Sequence, residues 1–378
     1  MIPFARVLNY NNKAQLPPEI KKMQGFSNGI YVLLDNGELY ATGANAWGLL
    51  MTTSTTQLKK WKLLSADVDY FWVCNYAAVL KMKDGRWMFL GGQLVLGTGD
   101  GSIRYSSLLD ISPSMNFVQY DPLNPSSTKI QMNIDGMFYL YGTDLYGRGA
   151  NRFYSLGLGN TTARPSFTRI AENVVDFSVQ DLSIGCMYVN TSKAYYYAGS
   201  DGGGSWLKNT TFQLFMNSAY NHIGFNGVSD GWQVYSTGDA WAYGANTYKT
   251  FGVNGGASPL INPTLLTNSA LMLSKNPKVS ISCGQFTSWI LLDDGLYACG
   301  TGAYSGGAFI GTGQIYLPSI LPLGVSPSDI IFYGAASGSS LFCTKDTIYY
   351  TGLSEALPGV SVSSLVWLEL PAIKDNLL

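Results

Sequence analysis

Apolar and polar residues alternate along this chain in short runs, and Gly, Asn, Asp or Ser breaks the pattern every few residues. Period-2 alternation bounded by turn residues predicts antiparallel strands, and no stretch carries the period of a long amphipathic helix. ILLDDGLYACG, residues 290–300, predicts one hairpin: an apolar run ends at Leu292, Asp293-Asp294-Gly295 forms the turn, and Leu296-Tyr297-Ala298-Cys299 leads out to Gly300. The same order recurs at residues 33–43, 81–92 and 133–142, with weaker copies ending at Gly199, Gly244 and Gly352. In the copies other than the first quoted, the turn residue precedes the closing glycine by the same interval: Gly37, Gly85, Gly136, Lys193, Gly238 and Asp346.

The closing glycines are therefore Gly43, Gly91, Gly142, Gly199, Gly244, Gly300 and Gly352. They recur roughly every 50 residues, the signature of a repeat architecture. A further alternating run precedes the hairpins, as from Val68, Val174, Lys278 and Asp329. Four strands per repeat predict an all-β fold: a seven-bladed β-propeller with four-stranded antiparallel blades, a single domain over residues 1–378. Each closing glycine is expected where its hairpin leaves the blade near the crowded central channel, where a Cβ would clash or φ is positive. SSLVWLELP, residues 363–371, resembles KKWKLLS at 59–65, so the C-terminal strand is expected to pair with the first blade; N- and C-terminal strands then close the ring.

Composition narrows the function classes. Charged residues make up 12% of the chain, Gly and Tyr number 43 and 25, and the net charge is −1. Such a chain has a neutral polar surface and lacks the basic footprint of a nucleic-acid binder. No apolar stretch is long enough to span a bilayer, and the N-terminal residues do not read as a secretory signal. Cys74, Cys186, Cys283, Cys299 and Cys343 show no CxxC spacing and read as small buried hydrophobes. The Asn-x-Ser/Thr triplets at Asn160, Asn190 and Asn209 carry little weight without a secretory route.

The repeat resembles that of the regulator of chromosome condensation family. Cys283-Gly284, Ser288, Gly295, Tyr297 and Gly300 match its Cys-Gly, Ser, turn Gly and Tyr-x-x-Gly positions; residues 43–50 resemble its following loop. Leu96-Gly97-Thr98-Gly99, Leu156-Gly157-Leu158-Gly159 and Ile310-Gly311-Thr312-Gly313 resemble its Gly-x-Leu-Gly tail. The family's His before Ser is missing, with Thr287 in that place. The resemblance implies a seven-bladed propeller and, for function, nucleotide exchange on a small GTPase.

Catalytic chemistry finds little support. The lone histidine, His222, offers no triad, and no GxSxG, HExxH or P-loop motif occurs. Asp293-Asp294 is explained by turn formation, so no metal site and no cofactor are expected. Trp47, Tyr146, Trp206, Tyr248 and Tyr304 each follow a closing glycine within a few residues and are the candidate binding residues, expected on one face of the disc. The alternative is that they cap their own blades against the next. Segments 100–128 and 246–277 are further candidates for partner contact.

The expected function is a non-enzymatic protein-binding or structural propeller, in particular a virion component such as a bacteriophage tail or capsid appendage. Such a protein is made in the host cytoplasm. A guanine-nucleotide exchange factor and an enzyme-inhibiting or glycan-binding propeller are the alternatives, with a cytoplasmic location for the former. Expected partners are other proteins, with a glycan or host receptor also possible; nucleic acid and membrane insertion are not expected.

Overall fold

The computed structural model describes residues 18–26, 29–52, 57–99, 101–180, 185–200, 208–218, 222–228, 231–236, 240–244, 260–265, 281–283, 287–300, 317–336, 339–352, 357–360 and 364–378. They form seven four-stranded antiparallel sheets, each built from consecutive strands. Sheet one comprises β1 (Ile20–Phe26), β2 (Gly29–Leu34), β3 (Leu39–Gly43) and β4 (Leu58–Ser65). Sheet two holds β5 (Val68–Val73), β6 (Ala77–Met82), β7 (Trp87–Gly92) and β8 (Arg104–Asp110). Sheet three holds β9 (Ile130–Asn133), β10 (Gly136–Tyr141), β11 (Asp144–Gly149) and β12 (Arg164–Ala171). Sheet four follows with β13 (Val174–Val179), β14 (Gly185–Asn190), β15 (Ala194–Ser200) and β16 (Lys208–Asn217). Sheet five has β17 (His222–Val228), β18 (Gly231–Ser236), β19 (Ala240–Gly244) and β20 (Leu260–Leu265). Sheet six has β21 (Ile281–Cys283), β22 (Thr287–Leu292), β23 (Gly295–Gly300) and β24 (Leu317–Pro318). Sheet seven ends the chain with β25 (Phe332–Ala336), β26 (Ser339–Cys343), β27 (Ile348–Gly352) and β28 (Ser364–Glu369).

The first strands neighbour one another in the order β1, β5, β9, β13, β17, β21, β25, and β25 lies again beside β1. That cycle is a seven-bladed propeller. Its core lies between the blades, which explains why strands such as GIYVLL in β2 are buried at every position. Tyr31 and Leu33 pack with Phe71 and Leu80 of sheet two. Ile30 and Val32, on the opposite side of the same strand, pack with Leu341 and Tyr350 of sheet seven. A strand buried on both faces loses its polar alternation, and each such Leu or Ile contributes about 1.5–3 kcal/mol.

The ring closes differently from the sequence expectation. Segment 363–371 does not pair with the first blade: β28 is the outer strand of sheet seven, hydrogen-bonded to β27. Sheet seven already supplies three strands, and the apolar face of β28 completes that blade instead, with Trp367 packed on Phe342. The chain meets the outer edge of sheet one on both sides of β28: Gly359 N donates to Lys59 O at 3.0 Å, and Leu377 makes a parallel bridge to Trp61 of β4. Trp61 N donates to Asn376 O at 3.0 Å and Leu378 N donates to Trp61 O at 2.9 Å. On the inner side, Ile20 N donates to Lys345 O at 2.7 Å.

Candidate functional site

Antiparallel blades sort their connections onto two faces. Loops joining first to second and third to fourth strands share one face, called here the glycine face. Turns joining second to third strands, and links from one blade to the next, share the other, called here the linker face.

On the glycine face, Gly43, Gly91, Gly199, Gly244, Gly300 and Gly352 pair with the opening residues of their second strands. The third repeat departs from expectation. Gly142 lies in the turn between β10 and β11, with φ of +58° and open space where a Cβ would stand. Gly149 closes that blade, paired with Gly136, and Gly136 opens β10 where a turn was expected. The crowding also has another source than the central channel. A Cβ on Gly149 would collide with the carbonyl of Asp135, and one on Gly91 would stand 2.7 Å from Ala77 Cα and strike Tyr76 O, so the loop between first and second strands excludes the side chain.

The loop after each of two closing glycines is held by an asparagine. Asn45 Oδ1 accepts from Leu50 N at 2.7 Å, and its Nδ2 donates to Thr52 O at 2.7 Å. Asn151 repeats this with Leu156 N at 3.1 Å and Asn160 O at 2.7 Å. These loops lean on the next blade. Trp47 packs edge-on against Tyr76, 5.1 Å between centroids, beneath the Arg104 guanidinium at 4.7 Å, so its ring clamps sheet one to sheet two. Tyr146 is not a loop residue; it lies within β11, opposite Tyr139, because the blade closes at Gly149. Trp206, Tyr248 and Tyr304 lie outside the described residues, as does most of segment 246–277. Segment 100–128 contains β8 as well as a link. Arg148 ties sheets three and two: its guanidinium donates to Ser114 Oγ and Leu96 O, each at 2.8 Å, and burial pushes it down to about 10.

The linker face carries a different chemistry. Among the described residues, most carboxylates stand there, in turns such as Asp35 to Glu38 and Asp293-Asp294, or at blade links such as Asp67, Asp121, Glu172 and Asp329. Asp135 is buried on the glycine face, accepting from Arg152 Nε and Phe153 N. Lysines and arginines offset only part of the linker-face charge, in pairs such as Lys21 with Asp69 at 2.9 Å and Arg86 with Asp84 at 2.7 Å. No group of three or more His, Cys, Asp or Glu side chains suited to a metal occurs among the described residues.

Among the described residues, two long links rise from this face, and both present aliphatic side chains to solvent. Between sheets two and three, Leu123 is 95% exposed in Asp121-Pro122-Leu123-Asn124-Pro125. The turn is fixed by two prolines and by hydrogen bonds from Leu123 N to Asp121 Oδ1 at 2.9 Å and from Asn124 N to Asp121 O at 3.2 Å. Between sheets six and seven, Leu323 is fully exposed in Pro322-Leu323-Gly324-Val325, closed by Val325 N to Pro322 O at 3.1 Å. The same links send other residues inward: Tyr120 lies across Trp72 and Trp87, and Leu321 and Val325 pack toward Phe342. Tyr120 donates to Asp69 Oδ2 at 2.8 Å, and burial followed by that carboxylate holds its phenol neutral well above the ordinary range. Nearby, Lys22 donates to Phe71 O at 2.6 Å with its ammonium 4.0 Å from the Tyr70 ring centroid; burial pushes it down to about 7.

No protein-family model matches the chain, and no curated protein matches it. Solved structures do. Prp20p from Saccharomyces cerevisiae aligns with a TM-score of 0.66 and 16% identity over 89% of this chain and 86% of its own. Yeast RCC1 (Prp20), in its structure with Kap60, gives 0.65 and 16% over 89% and 84%. Human WBSCR16 gives 0.63 and 12% over 92% and 88%. The chain folds as a divergent RCC1-like propeller. Prp20p itself is described as binding Gsp1p and histones. In this RCC1-like propeller, Asn45 and Asn151 stand two residues after Gly43 and Gly149 and hold the loops that follow.

Sequence reasoning reached only part of the linker face: segment 100–128, a candidate for partner contact, holds Leu123, whereas the link carrying Leu323 was missed. Two signals were present: carboxylates concentrated in predicted turns, and leucines flanked by Pro, Asn or Gly where no strand could bury them.

Proposed function

We propose that this chain is a non-enzymatic binding propeller that docks a protein partner on its linker face, as a structural or host-recognition component of a viral particle such as a tail or capsid appendage. The observation that carries the reading is the pair of rigid turns presenting Leu123 and Leu323. An exposed leucine gains nothing from folding, whereas one held in a hydrogen-bonded, proline-fixed turn loses little freedom on docking. The acidic surroundings favour a partner with basic residues around two apolar sockets. Low charge, with abundant Gly, Tyr, Asn, Ser and Thr, supports the virion setting and an origin in the host cytoplasm.

The test is mass spectrometry of purified particles from the source material, repeated with Leu123→Asp and Leu323→Asp. The reading expects the chain at fixed stoichiometry and its loss in the double variant, with unchanged thermal unfolding of the isolated protein. Absence from every particle would overturn the virion assignment; retention of the double variant would overturn the face. The RCC1-like fold favours one second reading, exchange of guanine nucleotide on a small GTPase. Accelerated release of a fluorescent guanine nucleotide would support it.

A further inference from the structure

At the linker-face end of sheet three, the aromatic core packed between sheets two and three runs out to solvent. Tyr139 and Tyr141 are two residues apart on β10, so their rings share one side of the sheet, 6.3 Å between centroids and 13° from parallel. Register places Tyr146 opposite Tyr139 and Asp144 opposite Tyr141, on that same side. Phe117, from the link after sheet two, lies 5.6 Å from Tyr139, 5.3 Å from Tyr146 and 5.0 Å from Phe167. Tyr139 is buried beneath, whereas Tyr141 is 41% and Phe117 37% exposed. Polar groups ring these two: Gln119 Nε2 donates to Tyr141 OH at 2.9 Å, and Asp144 Oδ2 lies 3.6 Å from the Arg169 guanidinium.

We propose that this patch binds a neutral glycan, with a pyranose stacked on Tyr141 and Phe117. A pyranose has one face of C–H groups that packs on the electron-rich face of an aromatic ring, and hydroxyls that need donors and acceptors at the edge. Gln119 Oε1, the Asp144 carboxylate and Arg169 supply those edges. Charge selects against acidic sugars. Arg169 is already shared between Asp144 and Glu172, the latter at 2.8 Å, and Asp121 adds a further negative charge on the link. A sialylated or sulfated glycan would meet net repulsion.

The inference deepens the recognition reading but is tested on the isolated full chain, without any particle. Labelled protein is applied to an array carrying neutral hexose and N-acetylhexosamine oligosaccharides beside sialylated and sulfated ones. Neutral hits are then titrated by NMR against wild type, Tyr141→Ala and Asp144→Asn, with circular dichroism confirming the fold. Expected is binding confined to neutral glycans and weakened about tenfold or more in Tyr141→Ala. Absence of neutral binding, preference for acidic glycans, or unchanged affinity in both folded variants would overturn it. A chain that stays on the particle yet binds no neutral glycan loses only this inference; one that binds glycan but is absent from particles loses only the virion assignment.

Discussion

Exchanging one hydrogen for a methyl group at Gly149 and at Gly142 separates a closing glycine from a turn glycine. At Gly149, φ is +140°, and a Cβ would stand 2.9 Å from the Asp135 carbonyl carbon while striking its oxygen and Gly136 Cα. Two costs combine in Gly149→Ala. Backbone strain for an L-residue at positive φ is about 1–2 kcal/mol. Overpacking against backbone that cannot rotate away adds about 1–3 kcal/mol. The expected loss is therefore about 2–5 kcal/mol. At Gly142 φ is +58° and nothing lies within 4 Å, so only strain remains. Gly142→Ala should cost about 1 kcal/mol.

Urea unfolding followed by tryptophan fluorescence measures both, with Gly91→Ala as a third variant because Tyr76 O and Ala77 Cα crowd it in the same way. A difference of about 1.4 kcal/mol already changes the unfolded fraction tenfold, well within the resolution of such curves. The reasoning is refuted if Gly142→Ala destabilises as much as Gly149→Ala, or if Gly91 and Gly149 behave differently in kind.

Deleting residues 376–378 removes the hydrogen bonds to Trp61 and should cost about 1–3 kcal/mol, with faster amide exchange in β4; exchange in β4 unchanged from wild type would contradict it. Lys22 should make stability rise with pH. Its folded value is lowered to about 7, so the unfolded chain binds more protons between there and the ordinary lysine range, and the penalty of a buried ammonium is complete below about pH 7. Lys22→Met should therefore stabilise the protein more at pH 6 than at pH 10, as read from urea midpoints at both.

The blade architecture was legible because strand and turn alternate with a repeat too regular to miss. Register in the third repeat was not. Asn133-Ile134-Asp135-Gly136 imitates a hairpin turn, yet it joins β9 to β10, and the true inner turn, Gly142-Thr143, contains the glycine that the pattern took for a closure. The decisive signal lay in the next seven residues. Leu145-Tyr146-Gly147-Arg148-Gly149-Ala150-Asn151 repeats Leu39-Tyr40-Ala41-Thr42-Gly43-Ala44-Asn45, with Tyr-x-x-Gly-Ala-Asn in common. That alignment also turns Tyr146 from a loop candidate into a strand residue. Closure by the last residues, by contrast, had no local signature, since a parallel bridge at Leu377 depends on where two distant blades meet.

The proposal that partners dock opposite the glycines follows from the same geometry. A residue near a closing glycine faces a loop already crowded enough to exclude a methyl group, so an aromatic side chain there finds a neighbour within the ring, as Trp47 finds Tyr76 and Arg104. On the linker face the constraint is reversed. Links must cross the widening gap between blades, and their inward residues, Tyr120, Leu321 and Val325, fill it. The residues between them have nowhere internal to go, so their identity is free of packing demands. Polar side chains would suffice there. Leucine at positions 123 and 323, each in a turn made rigid by proline and hydrogen bonds, is therefore what the proposed partner would engage, and the Leu123→Asp and Leu323→Asp variants test that step.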